Sequence, residues 1–172
     1  FSYFSLKVWQ EFAKQYGLRV FDGWVTPAQG GSLRIFMDRG KRDTTARLKG
    51  LEAEEKKTKL NTLETGHRYR DNVWATAKKL RGVLSDLKKQ GKTLAGYGAA
   101  AKGFTILRCS GIDGKFLDYF VDDSPAKQGW YTPIDHIPII SRREAEKKLP
   151  DYFVILAPNY AKVIVEKEKK FL

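Results

Sequence analysis

The sequence has 172 residues, 42% hydrophobic and 30% charged, a size and balance that build one ordinary domain, or a small domain with an appendage, around a sizeable core. No apolar run approaches the roughly 20 residues a membrane helix needs, the single Cys109 excludes an internal disulfide, and no charged-then-apolar leader opens the chain, so the expected setting is cytoplasmic. The net charge of +12 is concentrated in 39–92 and 142–170, interleaved with Glu and Asp as on solvated helix faces; without a zinc-finger, RNA-binding or basic-zipper pattern it argues against nucleic acid as a partner.

Phe1 is not methionine and lies inside an apolar-periodic stretch, so the chain is expected to be a piece of a longer protein. Ser5 is placed to cap a helix through Tyr16, with Leu6, Trp9, Phe12, Ala13 and Tyr16 on one face and Gly17 as its stop. Residues 18–25 alternate as a strand, Pro27 to Gly31 turn, and 32–37 return. From Thr44 to Gln90 the chain is rich in Lys, Glu, Leu and Ala, lacks proline and reads as helical. Leu48, Leu51, Leu60 and Leu63 mark one helix, Gly66 the expected break or kink, and Val73, Ala77, Leu80, Leu84 and Leu87 the core stripe of a second. Gly91 caps that helix.

Thr93-Leu-Ala-Gly-Tyr-Gly-Ala-Ala-Ala-Lys-Gly-Phe104 then reads as a buried strand passing through a glycine turn into a helix over 100–110. Gly96, Gly98 and Gly103 permit close backbone approach, so amides at the helix start, those of Gly98 and Ala99 foremost, are aimed at a phosphate, with Lys102 adding charge. The spacing is Gly-x-Gly-x4-Gly, not the dinucleotide Gly-x-Gly-x-x-Gly, and a purely structural turn is the competing explanation. A second buried strand, 116–123, ends in Asp122 and Asp123, about 26 residues past Gly96 against the roughly 20 at which a carboxylate meets a ribose. Either acid is a candidate for that contact, or for capping the loop at 124–130.

The loop 123–136 carries two prolines and residues that hydrogen-bond or stack, among them Lys127 and His136. A short strand at 137–140, a helix begun by Ser141 with Glu144 at the capping-box position, a buried strand at 152–157 and a final helix opened by Pro158-Asn159-Tyr160 complete an α/β pattern. In a parallel sheet the ends at Gly98, Asp122 and Asn159 share one edge, where ligands of open α/β sheets bind.

Gly-Gly-Ser-Leu-Arg-Ile-Phe36, Gly-Tyr-Gly-Ala-Ala-Ala-Lys-Gly103, Val-Asp-Asp-Ser-Pro-Ala-Lys-Gln-Gly-Trp-Tyr-Thr-Pro133, His-Ile-Pro-Ile139 and Ile-Leu-Ala-Pro-Asn-Tyr160, in this order, resemble the S-adenosylmethionine-dependent sugar C-methyltransferases over nearly the whole chain. The resemblance implies a fold with a Rossmann-like parallel sheet and flanking helices, preceded by a helical segment and the helix-plus-β-hairpin tail of a class I methyltransferase domain. It implies a division into 1–40 as that tail, 41–91 as a helical linker and 92–172 as a nucleotide-sugar-binding domain. Zinc in an N-terminal segment and the methyl donor's glycine-rich pocket belong to family parts not matched here. The family's Glu-His pair, implicated in acid/base chemistry, precedes the Phe-Ser-Tyr-Phe-Ser stretch that begins this sequence. Gln29 stands where relatives commonly carry His before Gly-Gly-Ser-Leu-Arg, leaving a hydrogen-bonding role, and Ala100 stands where they carry Pro.

The implied chemistry of the intact enzyme is deprotonation beside a sugar ketone and attack of the enolate carbon on the sulfonium methyl of S-adenosylmethionine, the chain alone being inactive. Tyr97, His136 and Tyr160 are the candidates near the sugar, the first two for acid/base work. Gly96, Tyr97, Gly98, Ala99, Lys102, Gly103, Asp122, Lys127, Asn159 and Tyr160 are the candidate substrate-binding set, and no metal ligand is expected. The implied partners are a nucleotide-linked sugar and, at an exposed edge of the 18–37 hairpin, the family's N-terminal half or a second copy. The competing functions are a small NAD- or nucleotide-binding oxidoreductase domain and a structural domain that assembles through its helices.

Overall fold

A computed structural model describes residues 4–40, 42–133, 135–169 and 171. The chain divides into two compact units, 1–71 and 72–172. In the first, α1 (Leu6–Gln15) begins where the Ser5 hydroxyl accepts from the Val8 amide at 3.3 Å and stops at Gly17. β1 (Arg19–Thr26) and β2 (Ser32–Asp38) pair antiparallel through a turn in which Gln29, Gly30 and Gly31 all have positive φ. Leu33, Ile35 and Met37 of β2 pack on Leu6, Ala13, Val20 and Leu48, the last from α2 (Ala46–Lys57). Phe12 and Tyr16 stay exposed and pack on one another along the surface of α1, with Trp9 edge-on to Phe12, so only part of the expected apolar face reaches the core. Among the described residues no third strand joins this sheet.

The polar hub of the first unit is Asp22, a buried carboxylate that accepts from the Thr45 hydroxyl at 2.6 Å, the Gly23 amide at 2.8 Å and both Nε and Nη2 of Arg47. Thr45 is also the N-cap of α2, and Arg47 lies 4.4 Å over the Trp24 ring, so one carboxylate ties the hairpin to the next helix. The Thr45 hydroxyl first, then Arg47 and Gly23, outweigh burial and hold the Asp22 carboxyl below its ordinary value. A carboxyl depressed on folding stabilises above its unfolded pKa of about 4 and loses that contribution as pH falls through the lower folded value. Thermal midpoints followed by circular dichroism from about pH 5 down to about pH 2 are expected to fall less steeply in Asp22→Asn than in the parent. Equal slopes would remove Asp22 from the acid response.

α2 ends at Lys57, and Lys59 at φ +51° turns the chain toward α3 (Leu63–Lys89). The expected break at Gly66 does not occur: α3 runs through Gly66 and Gly82, and the interruption falls at 58–62. It takes Leu60 and Leu63 off the stripe begun by Leu48 and Leu51 and leaves both exposed. The Glu55 carboxylate of α2 accepts from the Leu6 and Lys7 amides and so closes the N-terminus of α1.

In the second unit β3 (Leu94–Tyr97), β4 (Phe120–Val121), β5 (Ile139–Ile140) and β6 (Tyr152–Ile155) form a parallel sheet in the order β5-β4-β3-β6. Leu84 of α3 and Leu107 of α4 (Ala101–Ser110) pack on one face with Leu94, Phe120, Ile139 and Leu156. Ala145 of α5 (Arg142–Ala145), Ile164 of α6 (Ala161–Lys167) and Phe171 cover the other with Tyr97 and Val121. The fold is the expected α/β arrangement, a parallel sheet with flanking helices preceded by a helical segment and a helix with its hairpin. β4 is shorter than the expected 116–123 because the Phe116 and Leu117 amides turn back to the Asp113 carbonyl. Ser141 and Glu144 form the capping box. Among the described residues no helix is long and apolar enough to cross a membrane.

Candidate functional site

Because the four strands run parallel, their C-terminal ends meet at one edge, and the strand order reverses at β3, between β4 and β6. The glycine turn sits there. Gly98 needs its freedom: φ is +85°, and an added Cβ would come within 3.2 Å of the Ala157 Cβ at the end of β6. The other two glycines answer to packing. A Cβ on Gly96 would meet the Phe120 ring at 2.2 Å, and one on Gly103 would meet Leu156 at 2.6 Å, where α4 lies close on the end of β6. Both face the interior.

The turn's first amides already have acceptors inside the protein. Gly98 donates to the Val121 carbonyl, Ala100 to the Gly98 carbonyl and Ala99 to Oδ2 of Asp122, each at 2.8 Å. Asp122 is buried and points inward. Its Oδ2 also meets Lys127 Nζ at 2.9 Å, and its Oδ1 accepts from the Ser124 amide at 2.9 Å, the loop-capping geometry. Lys127 donates to the Ala99 carbonyl at 3.0 Å as well, and Gln128 to the Asp122 carbonyl at 2.9 Å, so the loop after β4 is tied down over the turn. α4 then starts at Ala100 with no side-chain cap, and Lys102 lies in its first turn.

Asn159 and Tyr160 occupy one 3-10 turn after β6, exposed at this edge, and His136 is exposed in the loop before β5 at φ +48°. Tyr97 lies elsewhere. Only 2% exposed, it packs edge-on to Phe153 on the face covered by α5 and α6, with its hydroxyl buried beside Glu168. Burial first, then the carboxylates of Glu168 and Asp123, raise its pKa far above the ordinary phenol value. Glu168 is itself fully buried, with Arg142 Nε at 2.8 Å and Lys167 Nζ at 3.5 Å, and Lys167 also reaches Asp123 at 2.8 Å. No sequence pattern signals this cluster, since a glutamate within the charge-rich tail Glu166-Lys-Glu-Lys169 reads as solvated surface.

Between the start of α4 and the tied loop lies an open groove of about 500 Å³, lined by Ala99, Ala101, Phe104, Lys127, Trp130 and Tyr131 among others. A second cavity of about 380 Å³, in the first unit, is ringed by Lys7, Lys56, Lys59, Glu52 and Glu55. Among the described residues no group of three or more His, Cys, Asp or Glu side chains could hold a metal ion.

A parallel sheet whose strand order reverses at a glycine turn, with an uncapped helix and a stapled loop at its edge, defines an open α/β domain. The chain belongs to the C-methyltransferase C-terminal domain family, whose model matches residues 27–172. It is 34% identical over 174 aligned positions to the C-methyltransferase NovU of Streptomyces niveus, a match that covers 100% of this chain and 41% of that protein. The chain thus spans about two fifths of the length of this relative.

Proposed function

We propose that this chain is the part of a C-methyltransferase that binds the diphosphate of a nucleotide-linked ketodeoxysugar at the C-terminal edge of its parallel sheet. The observation that carries the reading is the uncapped first turn of α4, opening directly from the glycine turn with Lys102 upon it. Because Gly98 and Ala99 have internal acceptors, the anion meets the next residues, Ala101 to Gly103, where the helix dipole and the Lys102 charge favour it. Asn159 and Tyr160, across the reversal in strand order, face the sugar. Asp122 is engaged on both oxygens, which disfavours an NAD-type ribose contact and with it the oxidoreductase reading.

S-adenosylmethionine supplies the methyl group to the proposed reaction of the full-length enzyme. The described residues do not form a fitting pocket for it: the cavity of the first unit is walled by lysines and glutamates, and Glu55 already spans the helix amides there. No step of methyl transfer is therefore assigned to residues of this chain, and the chain alone is expected to be inactive. Calorimetric titration is expected to give saturable binding of UDP or dTDP, weaker at high salt and weakened roughly tenfold by Lys102→Ala, while NAD and S-adenosylmethionine give none. Tighter binding of NAD than of either diphosphate would replace this reading, and silence from UDP and dTDP would end it.

A further inference from the structure

Apart from the first turn of α4, the described residues hold chemistry that the proposed function does not use at the lysine-rimmed cavity of the first unit, the buried Glu168 cluster and the groove beside the glycine turn. In the cavity the glutamate already closes the helix end, and in the cluster each cation already serves a carboxylate. The groove differs. Its two largest lining rings, Trp130 at 68% and Tyr131 at 62% exposure, face solvent, although burying such rings is what usually stabilises them. Whereas the exposed Phe12 and Tyr16 pack on one another, neither Trp130 nor Tyr131 stacks on a described ring.

The backbone beneath them is nonetheless held firmly. Trp130 donates its amide to the Lys127 carbonyl at 3.2 Å and accepts from the Ile139 amide at 2.8 Å. Tyr131 bridges Pro138 in antiparallel fashion, and Thr132 exchanges hydrogen bonds with Ile137, from amide to carbonyl at 2.8 Å and from the Ile137 amide to the Thr132 hydroxyl at 3.0 Å. The rings are therefore presented on a short paired ladder at the edge of the sheet. Across the groove Ala99 and Ala101 leave room and Phe104 supplies apolar wall, while Lys127, whose Nζ lies 2.9 Å from Oδ2 of Asp122, lines it as well.

We infer that this groove is a stacking platform for a planar heteroaromatic ring carried by an anion, and, resting on the nucleotide-sugar reading above, that the ring is the nucleobase. Stacking offsets the cost of holding two exposed rings, because the flat faces of base and side chain exclude water from each other. The phosphates carried by the ring reach the first turn of α4. About 500 Å³ of open groove lies within the roughly 300–1,000 Å³ typical of small-molecule sites.

The test compares UDP with inorganic pyrophosphate, which lacks the ring, on the full 172-residue chain and on Trp130→Leu and Tyr131→Leu. Both substituted residues are exposed, and unchanged circular dichroism and thermal midpoint verify that the variants fold. UDP is expected to quench tryptophan emission, a response lost in Trp130→Leu, and each substitution is expected to weaken UDP roughly 5- to 100-fold while leaving pyrophosphate affinity unchanged. UDP affinity indifferent to both substitutions, or no greater than that of pyrophosphate, overturns the platform and leaves the diphosphate reading standing. Absence of UDP and dTDP binding in the parent chain overturns both.

Discussion

Gly96→Ala is expected to destabilise the second unit by about 3 kcal/mol, an overpacking penalty at the upper end of the usual range. The new methyl would lie 2.2–2.8 Å from three carbons of the Phe120 ring, which is fully buried between β4 and α4. That ring cannot swing aside, because Phe104 meets it edge-on at 5.5 Å and the same core cluster encloses it. Urea unfolding followed by circular dichroism measures the change, with Gly82→Ala as the control. An added methyl at Gly82, on an exposed turn of α3, meets nothing within 4 Å, so helix propensity alone predicts a gain of up to about 1 kcal/mol. Equal effects from the two substitutions would show that the β3 backbone relaxes away from Phe120.

Arg142→Ala is expected to cost about 3 kcal/mol, because among the described residues it leaves the buried Glu168 carboxylate with Lys167, at 3.5 Å, as its one cation. The guanidinium also lies 5.1 Å over the Phe171 ring, so packing is lost with the charge. The double variant Arg142→Met with Glu168→Leu removes both charges and is expected to recover most of the loss, as replacement of a buried ion pair by apolar side chains usually does. Chemical denaturation of the single and double variants gives the coupling between the two sites. A single-variant cost below about 1 kcal/mol, the ordinary worth of an exposed pair, would mean that water reaches Glu168.

What the sequence made legible was local. Ser5, Gly17, Ser141 with Glu144, and the glycine turn each act over three or four residues, and each stands where its pattern pointed. The features that were not legible depend on partners far along the chain. Asp22 is tied to Thr45 and Arg47 across a hairpin, and the interior need for Gly96 and Gly103 comes from Phe120 and Leu156. The helix break misled for a related reason: Gly66 weakens a helix only by its own propensity, while the left-handed Lys59 ends one outright. At the candidate site, the two roles open to Asp122 differ only in where the carboxylate turns, and that is decided by the Ala99 amide and Lys127. The Trp130-Tyr131 pair could be flagged as stacking residues, but not that both rings face outward until the pairing of 130–132 with 137–139 was known.

The pairing of β6 with β3 sets an order of events for the growing chain. Thr93 and Asp151, 58 residues apart, close the start of that pair through the Thr93 amide and hydroxyl to one carboxylate oxygen. During synthesis β3 can find β4 and β5 early, but one edge stays bare until β6 emerges, and Leu156, the seat for Gly103 of α4, emerges with it. A nascent chain halted before residue 152 thus presents an apolar strand edge beside a half-docked helix, the kind of surface that chaperones hold and that aggregates when they do not. Because this contact joins positions 58 residues apart, the C-terminal segment acts as the latch of the whole sheet.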